Sequence, residues 1–360
     1  MNDFNPDLVI LTLWFCAPTL NATTPGYLLR RHRLEGFRAK VVVESSDVHS
    51  VREEHLSQFY NTRKTQNEQS EYLKSMQIEE SKVYEDADGV WAISDADKQR
   101  MLALTATYGN KKDTIQQSKF SVLRYIGSPW DSYVHNEEPS NDILRKSFFE
   151  RSGILFVGPG NVPTNVAAID WFLRAIWPSI TNALPDLRFS IVGAWRRGKG
   201  KHAAELHTAV IREAMACKSR VDISENCDVY KNVEWTGKLS QKDLERSLEN
   251  SRIFVSPIQF STGVNTKNLL ALERSLPLIT SINGSSGLCP DNACRSWKDG
   301  LPYYVADNSS HFSDLVINLY NNEMRWRALA GSAKSYTSNV LNVAGGALDA
   351  DRSLHSLGLI

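Results

Sequence analysis

The chain has 360 residues, 42% of them hydrophobic and 23% charged, enough to bury two cores and too apolar for a disordered polymer. Its 41 basic and 41 acidic side chains give a formal net charge of zero, so no global field draws it to nucleic acid or to an acidic membrane. Five cysteines, Cys16, Cys217, Cys227, Cys289 and Cys294, lack the spacing of a zinc site and read as reduced thiols of a cytoplasmic protein.

The apolar run LVILTLWFC over residues 8–16 comes first. It is too short to cross a bilayer, which takes ~20 residues, and its acidic, lysine-free approach is unlike a signal peptide, so a buried parallel strand is predicted. Further strands are predicted at residues 39–44, 89–94 and 121–126, with helical patterns at 27–34, 51–84 and 95–104. Ser94 fits the N-cap of the last, with Asp97 three residues on. The polar, two-proline stretch 127–150 reads as a connection between domains.

A second alternating series follows, with strands at 154–157, 188–192, 233–236, 253–255 and 278–280. Helical patterns lie between them at 165–183, 201–216, 241–250 and 266–275, and residues 309–336 read as two surface helices. Residues 344–360 show little pattern and are expected to be a loosely held tail. Strands alternating with helices imply parallel βαβ units. The fold expected is therefore α/β, with two Rossmann-like, doubly wound domains at 1–150 and 151–343 facing a cleft, followed by the tail.

The densest signal is FVSPIQFSTGVNTKNLLALERSLPLITS, residues 254–281, which reads as strand, loop, helix, strand. A loop around Gly263 would leave backbone N–H groups facing an open crevice at the positive end of a helix dipole, a setting for a diphosphate. Lys267, in the first helical turn, would add a full charge. Gly158-Pro159-Gly160 after ILFV is half of a dinucleotide fingerprint, with Pro163 in place of the last glycine, and reads either as a turn near a nucleotide or as a purely structural one. Gly193 after FSIV is a similar turn, followed by Arg196, Arg197, Lys199 and Lys201, which suit either a solvated loop or a phosphate clamp. Asp47 and His49 follow the strand AKVVVE. They are candidates for a base or a sugar-hydroxyl ligand, or for a helix cap with an incidental histidine. Ser-His-Asp order, a His-Glu-x-x-His helix and a Walker loop are missing, which disfavours hydrolases and kinases.

Four blocks in order, DVHSVREE (47–54), ADGVWAISDAD (87–97), FVGPGNVPTNVAAIDWF (156–172) and PIQFSTGVNTKNLLALERSLPLITS (257–281), resemble the retaining GT-B glycosyltransferases of family 4, in a bacterial-type branch. The resemblance implies transfer of a sugar from a nucleoside diphosphate sugar to a glycan, glycolipid or other hydroxyl acceptor, without a cofactor or an obligatory metal. It implies a donor diphosphate site lined by Gly263, Val264, Asn265, Thr266 and Lys267, with Gly158 and Asn165 at the cleft and Asp47 and His49 on the acceptor side. Lys267, Asp47 and His49 are the expected catalytic residues. A peripheral contact with a membrane stays open, as for lipid-linked acceptors.

The chain departs from the branch where Gln259 and Asn265 replace cations, Val162 and Ala167 replace the second block's His and Asp, and Leu270 replaces a ribose-binding glutamate that Glu273 misses by three positions. These departures support a second expectation, a catalytically inactive nucleotide-sugar binder or scaffold. A third, a sugar epimerase on the same fold, lacks the extra acidic residues it would need. The chain also opens at a strand corresponding to the middle of the family's N-terminal domain, so that domain is expected to be truncated or reduced.

Overall fold

The computed structural model describes residues 7–12, 39–45, 47–59, 66–109, 117–123, 146–195, 208–218, 227–261, 263–288, 301–340 and 343–359. The helix expected at 27–34, the basic run 196–201, and Cys16, Cys289 and Cys294 lie outside them.

Four parallel strands, β1 (Leu8–Thr12), β2 (Lys40–Ser45), β3 (Gly89–Ala92) and β4 (Phe120–Val122), make a sheet in sequential order. Three consecutive buried valines, Val41 to Val43, mark β2 as covered on both faces, as a parallel sheet requires. Helices α1 (His49–Phe59) and α2 (Gln66–Asp86) join β2 to β3, and α3 (Asp95–Tyr108) follows β3. Ser94 caps α3 as expected: its hydroxyl accepts the Asp97 N–H at 3.1 Å.

The second sheet is also parallel and holds β5 (Ile154–Val157), β6 (Phe189–Val192), β7 (Val233–Gly237), β8 (Ile253–Ser256), β9 (Leu278–Ser281) and β10 (Tyr303–Ala306). Its order is β10-β9-β8-β5-β6-β7. The chain builds outward from β5 through β6 to β7, then restarts at β8 beside β5 and builds the other way. Connections on the two sides therefore diverge, and a crevice opens beyond the carboxyl ends of β5 and β8.

Helix α4 (Pro163–Trp171) follows β5 and passes through a π-helical turn, Phe172–Ile176, into α5 (Trp177–Ala183). Pro178 explains the widening, because it has no N–H to donate and its ring would strike the carbonyl one turn back in a regular helix. The remaining helices are α6 (Ala209–Lys218), α7 (Cys227–Tyr230), α8 (Gln241–Asn250), α9 (Thr266–Glu273), α10 (Ser309–Tyr320), α11 (Glu323–Val340) and α12 (Val343–Ser356). Phe172, Trp177 and Phe189 stack at 4.7–6.2 Å between centroids in the larger core. Burial of each such side chain stabilises the fold by about 1.5–3 kcal/mol.

Residues 309–336 form the two expected surface helices, α10 and α11, whose inner faces bury Phe312, Val316, Leu319 and Trp326. Three points differ from expectation. Strand β10 was unforeseen. The supposed loose tail is α12, packed on β4, with the Trp91 indole donating to Ser353 Oγ at 2.5 Å and Leu357 against Gly89. Cys217 and Cys227 are not separate thiols but a disulfide, with Cα atoms 5.2 Å apart, joining the end of α6 to the start of α7.

Candidate active site

The crevice is built from loops that need glycine for contact reasons. Leaving β5, the Gly158 N–H donates to Val192 O at 2.8 Å and the Gly160 N–H to Ala194 O at 3.1 Å, zipping the loop after β5 to the loop after β6. Gly193 sits at φ +141, and a Cβ there would lie 2.4 Å from Gly158 O, so only glycine fits. The buried Trp195 indole also donates to Gly158 O, at 2.7 Å. Gly193 thus shapes the turn that carries Gly158.

Gly158 in turn makes room for Asn165. A Cβ on Gly158 would stand 2.6–2.9 Å from the Asn165 amide group. Asn165, 3% exposed in the first turn of α4, donates from Nδ2 to Pro159 O at 3.0 Å and accepts Lys267 Nζ–H at Oδ1, at 2.5 Å. The Lys267 ammonium also lies 5.2 Å from the centroid of the Phe156 ring. Lys267 therefore crosses the crevice, from the helix after β8 to the strand and helix of β5. Its side chain is half-buried as a whole, but the ammonium turns inward, and burial pulls its pKa down to about 8. Its acceptors are a neutral amide oxygen and a ring face. A charge so placed is short of counter-charge.

Beside it, α9 begins without a side-chain cap: Asn265 sits at the N-cap position, yet its amide donates to Ser261 Oγ at 2.9 Å and Gly284 O at 3.4 Å. Backbone N–H groups of a first helical turn have no intrahelical acceptor and carry the positive end of the dipole. Thr266 is exposed there, and Val264 is half-buried against Gly287. The expectation of an open amide at Gly263 needs correcting. Gly263 does take the left-handed backbone, φ +77, but its N–H donates to Asp97 Oδ1 of α3 at 3.1 Å.

Asp47 and His49 lie on the opposite lobe, at the entry to α1. Asp47 binds the Arg52 guanidinium at 2.6 Å. His49 is 6% exposed, and burial, with Arg52 adding to it, pushes its pKa down to about 4, so its ring is neutral at physiological pH. It is suited to hydrogen bonding and poorly matched to a general base near neutrality. Helix α1 packs against α4, so His49 and Asn165 belong to helices in contact across the lobes.

Glu80, unforeseen in the sequence, fixes that entry. Fully buried on α2, it accepts the N–H groups of His49 and Ser50 at 3.0 Å each and the Tyr84 hydroxyl at 2.9 Å. Burial raises its pKa while these bonds oppose the rise. A signal did exist: Glu80 falls in register with Met76, Val83 and Tyr84, the apolar stripe of α2. A carboxylate on such a stripe implies buried donors waiting for it.

The family model described as glycosyl transferases group 1 matches residues 151–322, which hold the switch-point crevice, Lys267 and Asn165. Over these residues the chain is similar to that family. Among solved structures, the chain is similar to a UDP-forming α,α-trehalose-phosphate synthase from Burkholderia xenovorans, with a TM-score of 0.63 and 11% identity over 98% of this chain and 73% of that one. It is also similar to the HepE protein of Anabaena, solved with UDP and glucose, at TM-score 0.60 and 13% identity, covering 97% and 78%. S. aureus TarM gives TM-score 0.59 and 14% identity over 97% of this chain and 54% of TarM. The architecture is GT-B, two parallel-sheet lobes facing each other. In sequence, the chain is 22% identical over 185 residues to an uncharacterized 44.6 kDa protein in the cps region of Klebsiella pneumoniae, spanning 51% of this chain and 41% of that protein. Among the described residues, no helix of either lobe is long and apolar enough to cross a membrane.

Proposed function

We propose that the chain transfers a sugar, with retention of anomeric configuration, from a nucleoside diphosphate sugar to a hydroxyl of a glycan or lipid-linked acceptor. The observation that carries this reading is the Lys267 ammonium, drawn out of water and held by Asn165 beside the uncapped start of α9. An anion arriving there meets a desolvated cation and the helix amides together. In the reaction, the bond from the anomeric carbon to the diphosphate breaks, one to the acceptor oxygen forms, and the acceptor hydroxyl's proton passes to the departing diphosphate. Negative charge then builds on the departing diphosphate, and preorganised donors stabilise that charge more than they stabilise the ground state. Thr266 and Val264 border the diphosphate, Gly158 and Gly193 shape the floor, and neutral His49 meets a hydroxyl of the donor sugar or acceptor. Asp47 contributes through its ion pair with Arg52, which holds the turn before His49. UDP, bound in the HepE structure and in one of TarM, is the first nucleotide to try.

Calorimetry with UDP and other nucleoside diphosphates, followed by a donor-hydrolysis and transfer assay over a panel of nucleotide sugars, tests the reading. Full turnover by Lys267→Ala would remove the role given to this lysine. A second reading is favoured by Gln259, Asn265, Val162 and Leu270, which stand where the family carries charged groups: a protein that binds the nucleotide sugar without turning it over. Tight binding of UDP with no transfer or hydrolysis from any donor would establish it.

A further inference from the structure

The lobes meet where the N-terminus of α3 reaches the loops after β8 and β9. Asp97, fully buried, is the centre of this contact. Its Oδ1 accepts the Gly263 N–H at 3.1 Å and Arg100 Nη1 at 2.8 Å, while Oδ2 accepts the Ser94 hydroxyl at 2.6 Å. Arg100 extends the contact, donating from Nη2 to Ser286 Oγ at 3.3 Å. Next to it, Gly287 sits at φ +73, where a Cβ would come within 2.7 Å of Val264 Cγ2 and 3.1 Å of Ser94 Oγ. Both loops are tied to α9, for Asn268 Nδ2 donates to Gly284 O at 2.8 Å and Asn265 Nδ2 to Ser261 Oγ at 2.9 Å.

We propose that Asp97 is a positioning residue for the donor site: it acts through the Gly263 turn to set the first turn of α9, and hence Lys267, over the crevice. Gly263 alone would let that turn sample many backbone states. A carboxylate from the other lobe selects one of them, so lobe contact and ordering of the diphosphate loop become a single event. Arg100 offsets the added negative charge, which keeps Asp97 from repelling the anion that α9 is to receive. The link to a diphosphate rests on the function proposed above, whereas the latch itself does not.

Two measurements on the full chain test this. Hydrogen exchange is read over residues 258–266 and 281–288 in the wild type, Asp97→Ala, Asp97→Asn and Arg100→Ala, with UDP affinity measured on the same proteins. In Asp97→Ala, exchange should quicken in those two segments but not in β5 or β6, and UDP should bind ~10-fold more weakly because ordering is deferred to binding. Asp97→Asn keeps an oxygen acceptor for Gly263 and should restore most of the affinity, which a mere loss of stability would not allow. Arg100→Ala, which leaves the Ser94–Asp97 cap in place, covers the case in which Asp97→Ala fails to fold, and should quicken exchange at 281–288. Unchanged exchange in both alanine variants, or an asparagine variant as weak as alanine, overturns the proposal. Should the wild type bind no nucleoside diphosphate, the proposed function falls, while the exchange data still decide the latch.

Discussion

Two helix starts in this molecule solve one electrostatic problem in opposite ways. At α1, the first amides are closed by the protein's own carboxyl group: Glu80 accepts the N–H groups of His49 and Ser50. At α9, the cap residue turns its side chain elsewhere, and a buried cation stands beside the opening. The first arrangement is complete within the chain and serves stability. The second has no side-chain cap, and on the function proposed above the donor diphosphate is what completes it.

Breaking the closed start should have the largest effect. Glu80→Ala strands two buried amides and a tyrosine hydroxyl, and at about 1–3 kcal/mol for each unsatisfied buried donor it should cost at least ~3 kcal/mol in chemical denaturation. Glu80→Gln, still an acceptor, should lose much less. The mirror experiment at the open start is Lys267→Met, which should cost far less stability than Glu80→Ala. Its UDP affinity should fall by roughly 10- to 100-fold, as expected for a charge-assisted contact of about 1.5–3 kcal/mol. Equal stability losses in the two variants would erase the contrast.

Proton linkage sharpens it further. Burial holds the Lys267 pKa near about 8, below its ordinary 10.5, so the folded protein binds fewer protons than the unfolded chain between those values and gains stability as pH rises through them. A bound diphosphate should push the pKa back up. UDP binding near pH 9 should therefore take up a fraction of a proton, seen by calorimetry in buffers of different ionisation enthalpy, and Lys267→Met should abolish the uptake.

The smallest effect belongs to His49. Its pKa falls from 6.5 to about 4 on folding, so its neutral ring contributes stability that is present above about pH 6.5 and is lost as pH drops toward 4. His49→Gln should flatten the acid limb of the stability curve over that interval. Glu80, whose pKa moves upward, acts with the opposite sign on the same limb and remains in that variant.

Much of the fold could be read locally. Strands such as β2 and β8 announce themselves through runs of Val, Ile and Phe bounded by Gly, Pro and Ser, and α3 through the Ser94 cap, because those signals act within a few residues. Local motifs pointed to Lys267 and, with a structural alternative, to Gly158, whereas Asn165 was legible only through family resemblance, and the members lie up to 109 positions apart. Asp97 was read as a capping partner and is one; its second bond, to Gly263, depends on the lobes meeting. The Cys217–Cys227 pair was hidden because composition argues about compartments, while a disulfide needs only that two Cβ atoms be brought together. Helix α12 looked patternless because its partner, the first sheet, lies more than two hundred residues earlier.

That last feature bears on how the molecule is made. Trp91 and Gly89 in the first sheet are covered by Ser353 and Leu357. On a ribosome, domains generally fold as they emerge, N-terminal ones first. Here the earlier lobe must wait, with part of its surface bare, until translation has delivered the segment that seals it.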